Sequence, residues 1–141
     1  MIPPSQTPEQ RRAADALKTI VEIRDKPQHE KLRRHYRSYV ERLAPAILMN
    51  GLGQALASER SGAEERKKTE EQAHGLLFDN LQNWLCREGG VYPAKPKDVL
   101  KAITERGETE YLRAQAEALA WLVWHKKFSQ AYLPRPTDKE T

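Results

Sequence analysis

Five cations fall within KLRRHYRSYVER, residues 31–42, against a single acidic residue, Glu41. The rest of the 141-residue chain carries equal numbers of acidic and basic side chains, so this window holds the whole net charge of +4. Arg33 and Arg37 stand one helical turn apart with Arg34 beside them, a spacing that lets three guanidiniums follow a phosphodiester backbone. Arg42 extends the row, and Lys67, Lys68, Lys126 and Lys127 are the further candidates for phosphate contact. Lys126 and Lys127 have no acidic residue within four positions, and they join the patch only if the fold brings their helix to it. A plainer reading stays open. Glu30 and Glu41 lie four positions from Arg34 and Arg37, the pattern of a solvated helix face laced with ion pairs.

Other chemistries find little support in residue types and spacing. His29, His35, His74 and His125 form no HExxH or i, i+4 pair, so no metal site is expected. Glu64/Glu65 and Glu70/Glu71 are interleaved with Arg66, Lys67 and Lys68 in the least apolar part of the chain, as in a charge ladder rather than an acid–base pair. Glu117, among apolar neighbours, reads as a buried and paired structural carboxylate. Cys86 has no nearby histidine to activate it and reads as a packing residue. NGLGQA lacks the Gly-Lys-Ser/Thr ending of a phosphate loop. No catalytic residue and no cofactor are expected.

The elements that must carry these side chains read as helices throughout, with no alternating strand pattern. The fold class is all-α, a compact bundle of about six helices in a single domain spanning 1–141, with flexible ends at about 1–6 and 134–141. Thr7, Pro8 and Gln10 form a capping box that starts the first helix near residue 8. A second helix after Pro27 places Leu32, Tyr36, Tyr39, Val40 and Leu43 on one side and the basic residues on the other. Pro45 marks a kink or a fresh start.

Apolar spacing then runs through Ile47, Leu48, Leu52, Ala55 and Leu56 without pausing at Gly51 and Gly53. Each glycine in a helix interior costs roughly 1 kcal/mol relative to alanine. The expectation is a helix whose backbone another element approaches closely; the alternative is a turn at Asn50-Gly51. Residues 59–72 read equally as loop or as helix start, with Ser61 and Glu64 as possible caps. Leu76, Leu77, Leu81, Trp84 and Leu85 form a core-facing stripe, a short helix uses Val99, Leu100 and Ile103, and a last helix runs from about Glu108 to Ala131. Its AEALAWLVW segment is apolar on nearly every side, as expected of a central helix.

The single cysteine excludes a disulfide framework, and neither a membrane-spanning run nor a secretory signal is apparent. A cytoplasmic protein without membrane association is expected.

YVERLAPAILMNGLGQALA resembles the signature segment of the small helical subunit of the type III-B CRISPR effector, the Cmr complex. The matching positions are Pro45, Leu48, Gly51, Leu52, Gly53 and Gln54, followed by Ala55 and Leu56. EALAWLVWHKKF resembles the C-terminal block of that family through Trp121, Leu122, Trp124, Lys126, Phe128 and, conservatively, Lys127. The chain departs from the family pattern at Ser58, Glu59 and Arg60, where an aromatic is common. The resemblance implies a noncatalytic subunit of an antiviral ribonucleoprotein, stacked in several copies. Its implied partners are the backbone and large polymerase-like subunits, copies of itself and target RNA, held through basic residues without reading bases. A helical protein–protein adaptor that binds no nucleic acid is the competing class, and a small metal-dependent nuclease a third.

Overall fold

The computed structural model describes residues 5–26 and 29–136. Among them are six helices and no strand: α1 (Pro8–Arg24), α2 (Glu30–Asn50), α3 (Leu52–Gly62), α4 (Thr69–Leu85), α5 (Val99–Glu105) and α6 (Glu108–Tyr132). The capping box is present in full: the Gln10 amide donates to Thr7 Oγ1 at 3.1 Å and the Thr7 amide to Gln10 Oε1 at 2.9 Å. Pro27, the expected breaker before α2, lies outside the described residues, as do 1–4 and 137–141 of the ends expected to be flexible. Residues 134–136 follow α6 without regular structure.

Pro45 does not break α2, which runs through it. The interruption comes at Gly51, whose φ of +87° and ψ of 159° are open essentially to glycine alone. This corrects the expectation of one helix passing through both glycines. Two helices meet at a single residue: the Gly51 amide closes α2 on the Ile47 carbonyl at 2.7 Å, and the Ala55 amide opens α3 on the Gly51 carbonyl at 3.1 Å. The first amides of α3 have no partner in their own helix. They are satisfied from α6, where Gln115 Oε1 accepts from Leu52 at 3.0 Å and the Tyr111 hydroxyl from Gly53 at 3.1 Å. The close approach that was expected therefore exists. A Cβ at Gly51 would stand 3.1 Å from the Tyr111 hydroxyl, whereas one at Gly53 would meet only ordinary contacts from 3.4 Å outward.

Residues 59–72 divide between the two readings. The helix persists to Gly62, a turn anchored by the fully buried Ala63 follows, and α4 begins at Thr69, not at the caps offered by Ser61 or Glu64. Arg66, at a φ of +52°, forks onto Asp79 at 3.0 and 3.3 Å and holds that turn against α4.

α2 packs on α4, α6 and α3, and α6 packs along α1 and α2 and touches α4 and α3, which leaves one side of α6 open. The expectation that α6 is enclosed by the others is thus corrected. Leu112 and Val123 are each 55% exposed on that open side, because the apolar residues of α6 extend beyond the faces its neighbours cover.

A polar chain runs through the middle of the bundle. The Trp121 indole donates to Asp15 Oδ2 at 2.9 Å, and its ring stacks on His125 with centroids 4.0 Å apart. Asn80 Nδ2 donates to the Tyr36 hydroxyl at 3.0 Å, so the phenolic proton is free to point at His125 Nε2, its other partner. The imidazole then carries its proton on Nδ1. Burial pushes His125 down to about 3 from an ordinary 6.5 and pushes the Tyr36 phenol up.

Two outcomes follow. Gly51→Ala is expected to lower the unfolding free energy by about 1–3 kcal/mol through backbone strain. Gly53→Ala is expected to change it by less than about 1 kcal/mol, both read by urea denaturation. For His125 the folded ring stays neutral where an unfolded one gains a proton, so stability is lost as pH falls below 6.5 toward 3. His125→Gln is expected to flatten the stability profile between neutral and mildly acid pH by up to about 1.4 kcal/mol per pH unit. The slopes, rather than the absolute stabilities, make that comparison.

Candidate nucleic-acid interface

The basic segment lies on α2, whose apolar side is buried from Leu32 to Ile47. Its arginines differ in what they touch. Arg33, half-buried, donates to the Lys26 carbonyl and has no carboxylate within 4 Å among the described residues. Arg34 pairs with Glu30 at 2.7 Å, the i, i+4 bridge readable from spacing. Arg37 pairs with Glu41 at 3.2 Å and also donates to the Leu133 carbonyl at 3.0 Å and, more weakly, to that of Gln130 at 3.5 Å. Only 12% of its side chain is exposed. Its guanidinium satisfies carbonyls at the end of α6, which have no donor of their own. That tie spans 96 residues and has no local signature.

Arg42 is exposed, donates to Ser38 Oγ at 2.9 Å and lies over the Tyr39 ring at 5.6 Å. Tyr39 in turn stacks on His74 of α4 at 3.7 Å, and His74 Nδ1 meets Glu59 at 2.6 Å. Lys67 and Lys68 sit exposed on the turn before α4. A groove of about 230 Å³ lined by Lys26, His29, Leu32, Arg66, Gln72 and Leu76 separates that turn from the start of α2.

Lys126 and Lys127 are exposed on α6, with no ion pair among the described residues. The condition placed on them is met: α2 and α6 pack together, and Gln130, one turn beyond, donates to Glu41 of α2 at 3.4 Å. α2 thus packs between α6, which carries Lys126 and Lys127, and α4, which follows the turn that carries Lys67 and Lys68.

Of the motif positions, Pro45 and Gln54 are exposed, Gly51 and Gly53 form the junction already described, and Trp121 is fully buried. Trp124, half-buried, stacks on Phe128 at 5.8 Å. Glu117 is paired as expected. Arg12 reaches it at 2.5 and 3.2 Å and the Trp84 indole donates to it at 3.3 Å. These hydrogen bonds and the neighbouring guanidiniums outweigh burial and hold its carboxyl below the usual range. Cys86 is buried, and its thiol is pushed up by that burial. No group of histidine, cysteine or carboxylate side chains able to hold a metal ion occurs among the described residues. No described helix is long and apolar enough to cross a membrane.

The family model described as "CRISPR-associated protein (Cas_Cmr5)" matches residues 8–132, which is the span from the first residue of α1 to the last of α6. The chain belongs to the Cmr5 family. Cmr5 proteins are the small structural subunit of the type III-B Cmr complex, so this chain is a small subunit of such a complex and associates with its other subunits. A Cmr5 family protein from Thermus thermophilus, solved by X-ray crystallography, is 28% identical and superposes with a TM-score of 0.69. The match covers 92% of this chain and 100% of that one.

The arginines of α2 are expected to separate by stability. Arg37→Ala should lower the unfolding free energy by about 1.5–3 kcal/mol, since it strands carbonyls that a charged donor now satisfies. Arg42→Ala, which removes only the contacts of an exposed side chain with Ser38 and the Tyr39 ring, should cost less than about 1 kcal/mol. Urea denaturation of the two variants decides between them.

Proposed function

We propose that this Cmr5 protein is a noncatalytic subunit that stacks in several copies within the effector and binds target RNA without sequence preference. The observation that carries the reading is the contrast between its cations and its aromatics. The side chains of Lys67, Lys68, Lys126, Lys127 and Arg42 are exposed and form no ion pair among the described residues. Tyr36, Tyr39, Phe78, Tyr92, Trp84 and Trp121 are buried, Tyr111, Trp124 and Phe128 are half-covered, and Tyr132, the one exposed aromatic among the described residues, lies under Arg24. Base-reading proteins present stacking aromatics, whereas phosphate tracking requires only positive side chains on a surface. Arg33 and Arg34 flank this set; Arg37 contributes mainly by holding α2 to the end of α6. Catalysis belongs, on this reading, to other subunits of the particle, and the protein works in the cytoplasm.

Stacking is supported by apolar side chains that the chain leaves open: Leu48 at 71%, Met49 at 84%, and Leu112 and Val123 on α6. The same residues favour a second reading, in which the subunit only docks proteins and its cations merely solvate it.

Reversing Lys67, Lys68, Lys126 and Lys127 to Glu in the assembled complex separates the two. The expected result is a target-RNA affinity at least tenfold lower at about 100 mM salt, with a flatter dependence on salt and an unchanged subunit composition. An unaltered RNA affinity and salt slope, in particles that still contain the variant, would leave the docking reading in its place.

A further inference from the structure

The helices α1 and α4 both flank the buried polar chain, yet they scarcely touch each other, and a polar cleft of about 350 Å³ lies between them. That volume is within the range of about 300–1,000 Å³ typical of small-molecule sites. Its α1 wall is the helical stripe Asp15, Lys18, Thr19 and Glu22; its α4 wall is Asn80 and Asn83, with Arg87 and Lys97 at the end where α4 gives way to the following loop. All eight lining residues are polar.

The floor is prearranged. Asp15 is fixed by the Trp121 indole and Asn80 by the Tyr36 hydroxyl, so the two ends of the buried chain surface in the same cleft with definite orientation. Each keeps spare capacity: a carboxylate accepts through both oxygens, and an Asn amide retains a second N–H and its carbonyl. Asn83, Lys18 and Lys97 have no hydrogen bond or ion pair among the described residues.

Arg87 lies flat over Trp84 at 3.4 Å and donates to the Trp84 carbonyl, with no carboxylate within 4 Å among the described residues. Burial and the nearby Arg11 and Arg12 weaken its hold on its proton, against the pull of Glu117 and Asp15. A guanidinium in that setting gains from an anion placed against it.

The two ends thus differ in what they accept. Arg87 and Lys97 favour negative charge, while Asp15, Asn80 and Asn83 favour a ligand edge rich in hydroxyl or amide groups. A bare anion leaves the Asp15 end unused and faces its carboxylate. A cation is opposed by Lys18, Arg87 and Lys97. We propose that this cleft binds a nucleoside monophosphate unit, its phosphate on Arg87 and Lys97 and its ribose or base edge on Asp15, Asn80 and Asn83. The unit is either a free nucleotide or one residue of an RNA strand, and the site shares no residue with the cations invoked for target RNA.

The three indoles supply the test. In ¹H–¹⁵N spectra of the full chain, the Trp121 and Trp84 side-chain signals report on the cleft and that of Trp124 serves as a control. Adenosine 5′-monophosphate and uridine 5′-monophosphate are expected to move the first two saturably and leave the third in place. Adenosine alone and inorganic phosphate alone should bind at least roughly tenfold more weakly. Lys97→Gln, in an exposed loop position, should weaken nucleotide binding by about tenfold, and Asn83→Ala tests the other end should Arg87→Gln fail to fold.

A five-nucleotide RNA giving the same shifts more tightly identifies the occupant as strand-borne; shifts with mononucleotides alone identify a free nucleotide. No movement at roughly 10 mM nucleotide overturns the proposal. So does phosphate or adenosine matching the nucleotide. Because the readout uses the isolated chain, the Lys67, Lys68, Lys126 and Lys127 reversal should leave these shifts intact, which separates failure of this site from failure of the RNA reading.

Discussion

One polar contact organises the molecule: the indole of the buried Trp121 bonded to the half-buried Asp15 while its face lies on His125. Apolar helix surfaces alone tolerate small slides along one another, because dispersion and burial are non-directional. A hydrogen bond inside the bundle does not tolerate them, since a displaced partner leaves a desolvated polar group unpaired. Through His125 and Tyr36 the contact reaches Asn80, so α1, α6, α2 and α4 are set in a common register by one connected set of side chains. The basic surface and the cleft both inherit that register. The turn of α6 that carries Lys126 and Lys127 is held to α2 by the bond between His125 and Tyr36.

Much of this was legible in the sequence wherever the cause is local. The capping box at Thr7, the apolar stripe of α4 and the i, i+4 pairs of Glu30 with Arg34 and Arg37 with Glu41 all depend on residues within a turn of each other. Asp98 likewise caps α5 from the adjacent position, accepting from the Lys101 amide. The two motif blocks pointed to the family for a different reason, their residue types matching a known pattern in order.

What escaped the sequence depended on distant residues. The break at Gly51 stood only as the alternative reading because both α2 and α3 turn an apolar face to the same core, so the spacing continues across it. What makes the break tolerable is the pair Tyr111 and Gln115, about sixty residues later, capping the exposed amides of α3. Arg37 looked like one more phosphate-tracking cation until its bonds to the end of α6 were visible. The enclosure expected of α6 failed for a related reason: apolar character says that a surface seeks cover, not which molecule supplies it.

The single-residue junction at Gly51 also bears on how this protein tolerates changes in length. Surface loops ordinarily absorb added or lost residues at little cost, because slack exists on both sides. Here there is none. One residue inserted between Asn50 and Leu52 would rotate α3 by about 100° about its own axis relative to α6, carrying its leading amides away from Tyr111 and Gln115. Drift in chain length is therefore barred at this hinge and confined to places such as the 63–68 turn and the 86–98 connection.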